Sequence, residues 1–417
     1  MTIDDPYATA AELGLMQGFP PPRDLRVTRS TALLTPPYNR WAYLNMRLLY
    51  PSAPVRAAAE PIALERRIDD LDGVAVPRPD GNGTAGLGDY LRETYGDALV
   101  VVHEGRVIHE RYANGMHADH PHQMMSVTKS FCGLLALLAI EDGRMDESDA
   151  VVAHVPELAD SSAFADATVG QVLDMTNSMA FTEDYADPLS GIRRYGAVLG
   201  WTDPVPGIRY EDNLPDYLAT LERDDAEPHG RTFHYQTPKT DVLNWITNRV
   251  EGRSFRETLH DRLWSRLGTD GETYVLLDRN ATLVAGGGLN ATPENLARFA
   301  AMMTADGVFA GEQVVPSGVI RKIAAGGDIA AFDRGPDSDD VVHRRGEWSY
   351  RAQWWVRHTP GREAFMAIGI NGQWIHLDPA RRIAIVKQSS QPVSKDEYLN
   401  GFDLNAFDAI AAHVSSR

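Results

Sequence analysis

Ser126 and Lys129 have the clearest chemical potential in this chain, because they stand three positions apart where an apolar run begins. Residues i and i+3 share one face of a helix, so the hydroxyl and the amine can meet there. A serine hydroxyl becomes a nucleophile when a neighbouring base removes its proton. Lysine can be that base if burial and a helix N-terminus lower its pKa from about 10.4. The spacing alone leaves open an exposed helix start with a solvated lysine.

The composition is that of a soluble globular protein. The 417 residues are 43% hydrophobic and 24% charged, and the net charge is −18. Such a charge argues against nucleic acid or an anionic membrane as the main partner. A single cysteine, Cys132, excludes an internal disulfide. Because the acidic start resembles no export signal and no apolar stretch is long enough to span a membrane, we expect a cytoplasmic protein.

Histidines at positions 117, 120 and 122 are the one grouping that could suggest a metal site. They lack the i,i+4 helical spacing and a partnering carboxylate, so a solvated loop is favoured. We expect neither a metal nor another cofactor.

The periodicity of the chain predicts a β-hairpin, a helical middle and a final group of strands. The hairpin joins residues 98–103 to 106–112 through a short loop with glycine. Thr168 and Thr292 are expected helix N-caps, the second followed by Pro293 in the first turn. Further expectations are helices at 241–250 and 255–267, strands at 350–356, 364–372, 373–377 and 383–388, and a closing helix at 402–414.

This order of elements predicts an α/β (α+β) fold in which helices cover one antiparallel β-sheet. Residues 1–60, rich in proline and arginine, form an irregular extension packed on the body. Residues 61–150 and 251–417 form the α/β domain. Residues 151–250 form a helical and loop-rich subdomain inserted between its halves.

Several motifs stand in the order found in the serine β-lactamase and penicillin-binding protein superfamily. The chain lacks Ser-Asp-Asn and Lys-Thr-Gly, so it resembles the class C and family VIII esterase branch rather than class A. It is most similar to the 6-aminohexanoate-dimer (nylon-oligomer) hydrolases of that branch. The motifs are Ser126-Val127-Thr128-Lys129, Glu183 to Pro188, Tyr235 with Asp241-Val242-Leu243, Gln353-Trp354-Trp355, Gly369 to Gln373, and Leu377-Asp378-Pro379.

The resemblance implies a β-lactamase-like fold and a catalytic role for four residues. Ser126 would be the nucleophile, Lys129 the general base, and Tyr235 the proton relay. Tyr185 would assist the leaving group. The backbone N–H groups of Ser126 and Ile370 would form the oxyanion hole.

The same resemblance implies substrate contacts from Trp354, Asp187, Asn371 and Gly286. Asp187 lies in an acidic loop that suits a substrate with a free ammonium group, although a solvated loop is equally natural. Gly286 departs from the nylon-oligomer hydrolases, which carry a polar side chain there. Thr237 departs from class C relatives, which carry asparagine. Despite these two departures, the catalytic residues of the family are retained. The substrate is not specified by the residues present.

The sequence therefore predicts a serine hydrolase that acts on small-molecule linear amides, like 6-aminohexanoate oligomers, and on carboxylic esters. One alternative is a biosynthetic transacylase, in which an amine or alcohol instead of water resolves the acyl-enzyme. A D-amino acid peptidase or β-lactamase is another, although Ala367-Ile368-Gly369 offers no side-chain cation for a β-lactam carboxylate. A non-catalytic binding protein on the same fold is the remaining class. Relatives suggest a possible homodimer.

Overall fold

The computed structural model describes residues 5–340 and 342–416. Met1 to Asp4 lie outside the described residues. They belong to the acidic start of the chain that resembles no export signal. Within the described ranges, no helix combines the length and apolar character needed to cross a membrane.

Within the described residues, the strands belong to one large sheet and three small ones. Their bounds are β1 (Ser52–Val55), β2 (Ala75–Pro77), β3 (Thr84–Gly86), β4 (Gly96–His103), β5 (Arg106–Tyr112), β6 (His122–Gln123), β7 (Thr273–Leu276), β8 (Leu289–Ala291), β9 (Val308–Phe309), β10 (Glu312–Gln313), β11 (Trp348–Arg351), β12 (Trp354–Arg357), β13 (Ala364–Gly369), β14 (Gln373–Asp378) and β15 (Ile383–Ser389).

The helices concentrate in the middle of the chain and at its end. Their bounds are α1 (Arg29–Ala32), α2 (Asn39–Ala42), α3 (Leu87–Glu93), α4 (Val127–Glu141), α5 (Val151–His154), α6 (Val169–Leu173), α7 (Gly191–Leu199), α8 (Leu214–Ala219), α9 (Pro238–Glu251), α10 (Phe255–Leu259), α11 (Pro293–Thr304), α12 (Ser317–Ala324), α13 (Ile329–Arg334) and α14 (Glu397–Ser415). A π-helical stretch at His260–Trp264 prolongs α10.

The large sheet has the strand order β11-β12-β13-β14-β15-β4-β5, and every neighbouring pair is antiparallel. Successive side chains of a strand point to opposite faces, so each strand serves two apolar cores. On β4, Val100 and Val102 join one core while Leu99 and Val101 join the other. Helices α4 and α11 pack on the first face, and α14 packs on the second. The antiparallel sheet covered by helices is thus confirmed.

Helix α4 is buried along nearly its whole length, from Val127 to Ala139. It packs against β12, β13 and β14 on one side and against α9 on the other. At Gly133 a Cβ atom would lie 1.9 Å from the Ala352 carbonyl oxygen, so only glycine lets the helix approach the sheet this closely. Because the helix is buried, Ser126 and Lys129 lie in the interior of the protein, as the apolar run predicts.

Helix starts expected from capping residues are found where predicted. The Thr168 hydroxyl accepts from the Gln171 N–H, and the Gln171 side chain accepts from the Thr168 N–H. The two hydrogen bonds form a capping box. Thr292 accepts from the Asn295 N–H ahead of α11. Gly252 ends α9 in the left-handed conformation (φ 67°).

The single strand predicted at 350–356 is wrong, because the chain reverses within it. Strands β11 and β12 pair with each other, and Ala352 and Gln353 form the turn with φ of 50° and 65°. Neither residue is a typical turn former, so the sequence gives no warning. The Gln353 side chain donates to the Leu173 carbonyl and accepts from the Thr240 hydroxyl, and these contacts fix the turn.

The first 60 residues contain short helices and strand β1, which pairs with β7. They also reach the far end of the chain. Asn39 donates to the carbonyls of Ser390 and Gln391, and Arg40 forms a buried ion pair with Asp97. The segment is therefore tied to the residues directly after β15 and to β4.

Candidate active site

Ser126 and Lys129 meet at the start of α4. The Lys129 Nζ donates to the Ser126 Oγ at 2.9 Å and also to the Gly286 carbonyl oxygen. Both side chains are buried, with 7% of Ser126 and 1% of Lys129 exposed. The exposed helix start that the spacing left open is excluded by this burial.

Burial lowers the pKa of Lys129 to about 8. The carboxylates of Glu183 and Asp241 oppose this effect, because they raise the pKa of the amine. A lysine with this pKa is partly neutral near physiological pH. Its free amine can then accept the proton of the hydroxyl to which it is hydrogen-bonded.

Asp241 positions the loop that holds the lysine. Its Oδ1 accepts from the N–H groups of Ala285 and Gly286, and its Oδ2 accepts from the Tyr195 hydroxyl at 2.7 Å. Burial raises the pKa of Asp241 to about 6, although these hydrogen bonds and Lys129 lower it. The hydrogen bonds to Asp241 keep the Gly286 carbonyl against the Lys129 amine.

Tyr235 stands beside the same pair. Its ring stacks on Trp355, with centroids 5.4 Å apart, and Lys129 Nζ lies 5.2 Å from its ring centroid. Burial raises the pKa of Tyr235 well above its usual value, and a hydrogen bond between its hydroxyl and Ser126 lowers it. The phenol therefore keeps its proton at neutral pH and lies beside the Ser126 hydroxyl.

Tyr185 and Glu183 come from the loop ahead of α7. The Tyr185 hydroxyl donates weakly to Glu183 at 3.4 Å, and Glu183 in turn accepts from the Thr237 N–H. Burial raises the pKa of both groups. Gln236 donates to the carbonyls of Met179 and Phe181, which fixes the start of this loop against the Tyr235 segment.

The Ile370 turn lies directly against the start of α4. A Cβ atom on Gly369 would lie 3.1 Å from the Ser126 nitrogen and 2.6 Å from the Met124 carbonyl oxygen. Among the turn and loop bonds of the described residues, neither the Ser126 N–H nor the Ile370 N–H donates to a backbone carbonyl. Two adjacent unused donors are what an oxyanion requires.

Two cavities meet at Ser126 and share Tyr185 and Ile370 as walls. The apolar cavity, about 70 Å³, is otherwise lined mainly by Leu33, Leu34, Met125, Ile192, Tyr195, Trp201, Gly286 and Gly287. The polar cavity, about 250 Å³, is otherwise lined mainly by Glu183, His234, Tyr235, Asp337, His343, Trp355, Ser394 and Lys395.

Comparison with known proteins places this geometry in a family. The β-lactamase family profile matches residues 85–407. The chain is 36% identical over 368 residues to the 6-aminohexanoate-dimer hydrolase of Paenarthrobacter ureafaciens, which is 88% of each chain. The chain belongs to the β-lactamase family.

Solved structures agree with this membership. A protein from Bacillus anthracis assigned as a 6-aminohexanoate-dimer hydrolase superposes with a TM-score of 0.84 at 27% identity, over 95% of this chain and 99% of that one. A family VIII carboxylesterase has a TM-score of 0.57 at 14% identity, over 77% and 97% of the two chains, and shares the fold. The chain is a hydrolase on the β-lactamase fold.

Not every residue that the family resemblance suggested for substrate binding lines a cavity. Trp354 is fully buried and packs on Phe299 and Phe365, because neighbouring residues of β12 face opposite sides of the sheet. The residue on the cavity side is Trp355. The predicted contact by Trp354 is corrected accordingly.

Asp187 and Asn371 also have other roles in the structure. Asp187 is exposed, accepts from the Leu189 N–H, and is absent from the described lining of both cavities. Asn371 is buried with φ 61°, accepts from the Tyr43 hydroxyl and donates to the Gln391 carbonyl. Asn371 therefore holds the turn next to Ile370.

Gly286 does line the apolar cavity, but its position leaves no room for a side chain. A Cβ atom there would lie 2.6 Å from Thr237 and 2.9 Å from the Tyr195 hydroxyl. The polar side chain that the family resemblance implies for this position could not be added without moving these neighbours.

Residues that the sequence did not single out complete the site. Glu183 belongs to the acidic loop, yet it is the carboxylate that raises the Lys129 pKa most. Lys395, which follows the last strand, brings a cation to the polar cavity and pairs with Asp340. Glu183 and Lys395 lie far from Ser126 along the chain, so the sequence alone does not associate them with it. Within the described residues, no group of three or more side chains is arranged to hold a metal ion.

Proposed function

We propose that this protein is a serine hydrolase that forms an acyl-enzyme on Ser126 with linear amides and carboxylic esters. The observation that carries the proposal is the 2.9 Å hydrogen bond between Ser126 Oγ and a Lys129 whose pKa is about 8. The related Paenarthrobacter protein is a 6-aminohexanoate-dimer hydrolase, which supports a linear amide as the substrate.

In the first half-reaction, neutral Lys129 takes the hydroxyl proton while the Ser126 oxygen attacks the substrate carbonyl. The N–H groups of Ser126 and Ile370 bind the resulting oxyanion. Tyr235 donates its proton to the leaving nitrogen or oxygen and recovers one from Lys129, so the C–N or C–O bond breaks and a neutral leaving group departs. Tyr185 lies where it can hydrogen-bond to that group.

In the second half-reaction, a water molecule attacks the Ser126 ester. Neutral Lys129 accepts the proton of the water and then returns it to the Ser126 oxygen as the carboxylic acid leaves. The protein's charge state is thereby restored.

The test compares a 4-nitrophenyl ester, a linear aminohexanoyl amide and a chromogenic cephalosporin. We expect hydrolysis of the first two and a mass increase equal to the acyl group in the intact protein. Ser126→Ala should abolish both. Ser130→Ala is the matched control, because Ser130 lies one turn further along α4 and donates to the Gln353 carbonyl instead.

Two outcomes would overturn the proposal. Retained hydrolysis by Ser126→Ala would exclude this serine as the nucleophile. Cephalosporin hydrolysis faster than both linear substrates would exclude the linear substrate class.

A further inference from the structure

Arg193 is a cation without a partner on the wall of the apolar cavity. It is partly buried on α7, and no ion pair or side-chain hydrogen bond engages its guanidinium within the described residues. Arg193 differs in this respect from Arg298 and Arg351, which pair with carboxylates. Its neighbour Arg194 is exposed, pairs with Glu211 at 2.7 Å and lies over the Tyr217 ring.

The other described walls of this cavity carry no charge. Leucine, methionine, isoleucine and tryptophan side chains surround most of it, and its polar members are neutral hydroxyls and glycine backbone. The Arg193 nitrogens are not among the buried atoms without a partner, so they also reach water, and an unpaired guanidinium beside an apolar wall is a strong hydrogen-bond donor to a carboxylate. An ammonium group entering the same cavity would instead meet a like charge.

The position of Tyr235 decides which half of the substrate enters this cavity. Tyr235 lines the polar cavity but not the apolar one, so the leaving group that it protonates belongs on the polar side. With the carbonyl carbon at Ser126, the acyl chain then extends into the apolar cavity toward Arg193.

We propose that Arg193 selects acyl groups that consist of a short aliphatic chain ending in a carboxylate. The preferred substrates are accordingly half-amides or half-esters of aliphatic dicarboxylic acids. This inference rests on the proposed acyl-enzyme on Ser126. A 6-aminohexanoyl chain would instead place an ammonium group at the Arg193 end of the cavity.

The experiment uses three 4-nitrophenyl esters of similar length, with the uncatalysed hydrolysis subtracted. Their acyl groups are hexanoyl, 6-aminohexanoyl and 5-carboxypentanoyl. The wild-type protein should give the highest kcat/KM with 5-carboxypentanoyl and the lowest with 6-aminohexanoyl. Arg193→Met should lower kcat/KM for the carboxylate ester by about 10- to 100-fold and change that of the hexanoyl ester by less than about twofold.

Two further variants separate charge recognition from structure. Arg193→Glu should reverse the order and favour 6-aminohexanoyl. Arg194→Met should retain the wild-type order, because Arg194 already has a carboxylate partner outside the cavity. Equal rates for the carboxylate and hexanoyl esters in the wild type, or an equal loss on all three esters in Arg193→Met, would overturn the inference.

A binding measurement distinguishes this inference from the proposed function. If no ester acylates Ser126, the proposed function fails by itself. Calorimetry with Ser126→Ala and the monomethylamide of adipic acid then tests Arg193 directly. We expect binding at least tenfold tighter than that of N-methylhexanamide, and loss of this difference when Arg193→Met is added. Equal binding of the two amides would overturn the assignment of Arg193.

Discussion

The apolar and polar cavities meet at the same serine, yet their walls are built from different parts of the chain. The apolar cavity takes Leu33 and Leu34 from the N-terminal segment and Ile192 from α7. The polar cavity takes Asp337 from the stretch after α13 and Lys395 from the segment after β15. On the proposals above, one substrate half would be held by shape and one cation, and the other would meet groups that can exchange protons.

Removal of the Tyr235 hydroxyl should give the largest contrast between the two cavities. Tyr235→Phe is expected to lower kcat/KM for a linear amide by about 10²- to 10⁴-fold, because an amine leaving group needs a proton. A 4-nitrophenyl ester, whose leaving group departs as an anion, should lose less than about tenfold. Steady-state kinetics on both substrates checks this.

Tyr350→Phe is the matched control for Tyr235→Phe. The Tyr350 ring lies 6.1 Å from that of Tyr235, and its buried hydroxyl has no hydrogen-bond partner within the described structure. Its removal should leave both activities and the melting temperature nearly unchanged. Equal losses on amide and ester in Tyr235→Phe would contradict a leaving-group role.

A methyl group at Gly369 should affect both substrate halves alike. Its Cβ would press on the Ser126 nitrogen and the Met124 carbonyl, so Gly369→Ala is expected to displace the oxyanion donors. We expect kcat to fall by about 10²- to 10³-fold for ester and amide together. Gly318→Ala on α12, where a Cβ would meet no atom within 4 Å, is the folding control. A loss on one substrate alone would speak against this placement of the oxyanion hole.

Two adjacent glycines provide a sharper probe of the apolar cavity. A Cβ on Gly287 would have ordinary contacts, the nearest at 3.8 Å, whereas one on Gly286 would clash with Thr237. Gly287→Ala should fold normally and lower kcat/KM about threefold to tenfold for a hexanoyl ester but not for an acetyl ester. Gly286→Ala should lower the melting temperature as well. A Gly287→Ala protein with unchanged chain-length preference would place the acyl chain elsewhere.

The smallest expected effect is a shift in the pH profile. Because the proposed base is neutral Lys129, kcat/KM should rise as the pH increases toward about 8 and then level off. Glu183 raises the pKa of Lys129, so Glu183→Gln should move the midpoint to lower pH by less than about one unit. Asp184→Asn changes an exposed carboxylate of the same loop and should leave the midpoint in place. A midpoint that rises in Glu183→Gln would contradict this role of Lys129.

The parts of the fold that follow from local chemistry could be predicted from the sequence. Capping at Thr168 and Thr292 and the hairpin around Gly105 depend on residues a few positions apart. The Ser126 to Lys129 spacing likewise fixes a shared helix face. Such features need no knowledge of the rest of the molecule.

The features that were missed depend on contacts distant in sequence. Ala352 and Gln353 reverse the chain because Thr240 and Leu173 hold the Gln353 side chain. Asn371 looks like a polar residue free to bind substrate, but Tyr43, more than 300 positions earlier, occupies its oxygen. Local propensity cannot report such partners.

The order of strands in the large sheet has a consequence for synthesis on the ribosome. Strand β4 pairs with β15, so the early hairpin cannot join the sheet until the residues near 389 have emerged. Helix α4 is complete by Glu141, well before β12 to β14 exist to cover it. At ~5–20 residues per second, this apolar helix waits roughly 10–50 s beside the growing chain. Ser126 is thus made early, on an apolar helix that lacks its covering sheet during synthesis, and its surroundings are completed only after the last strands have formed.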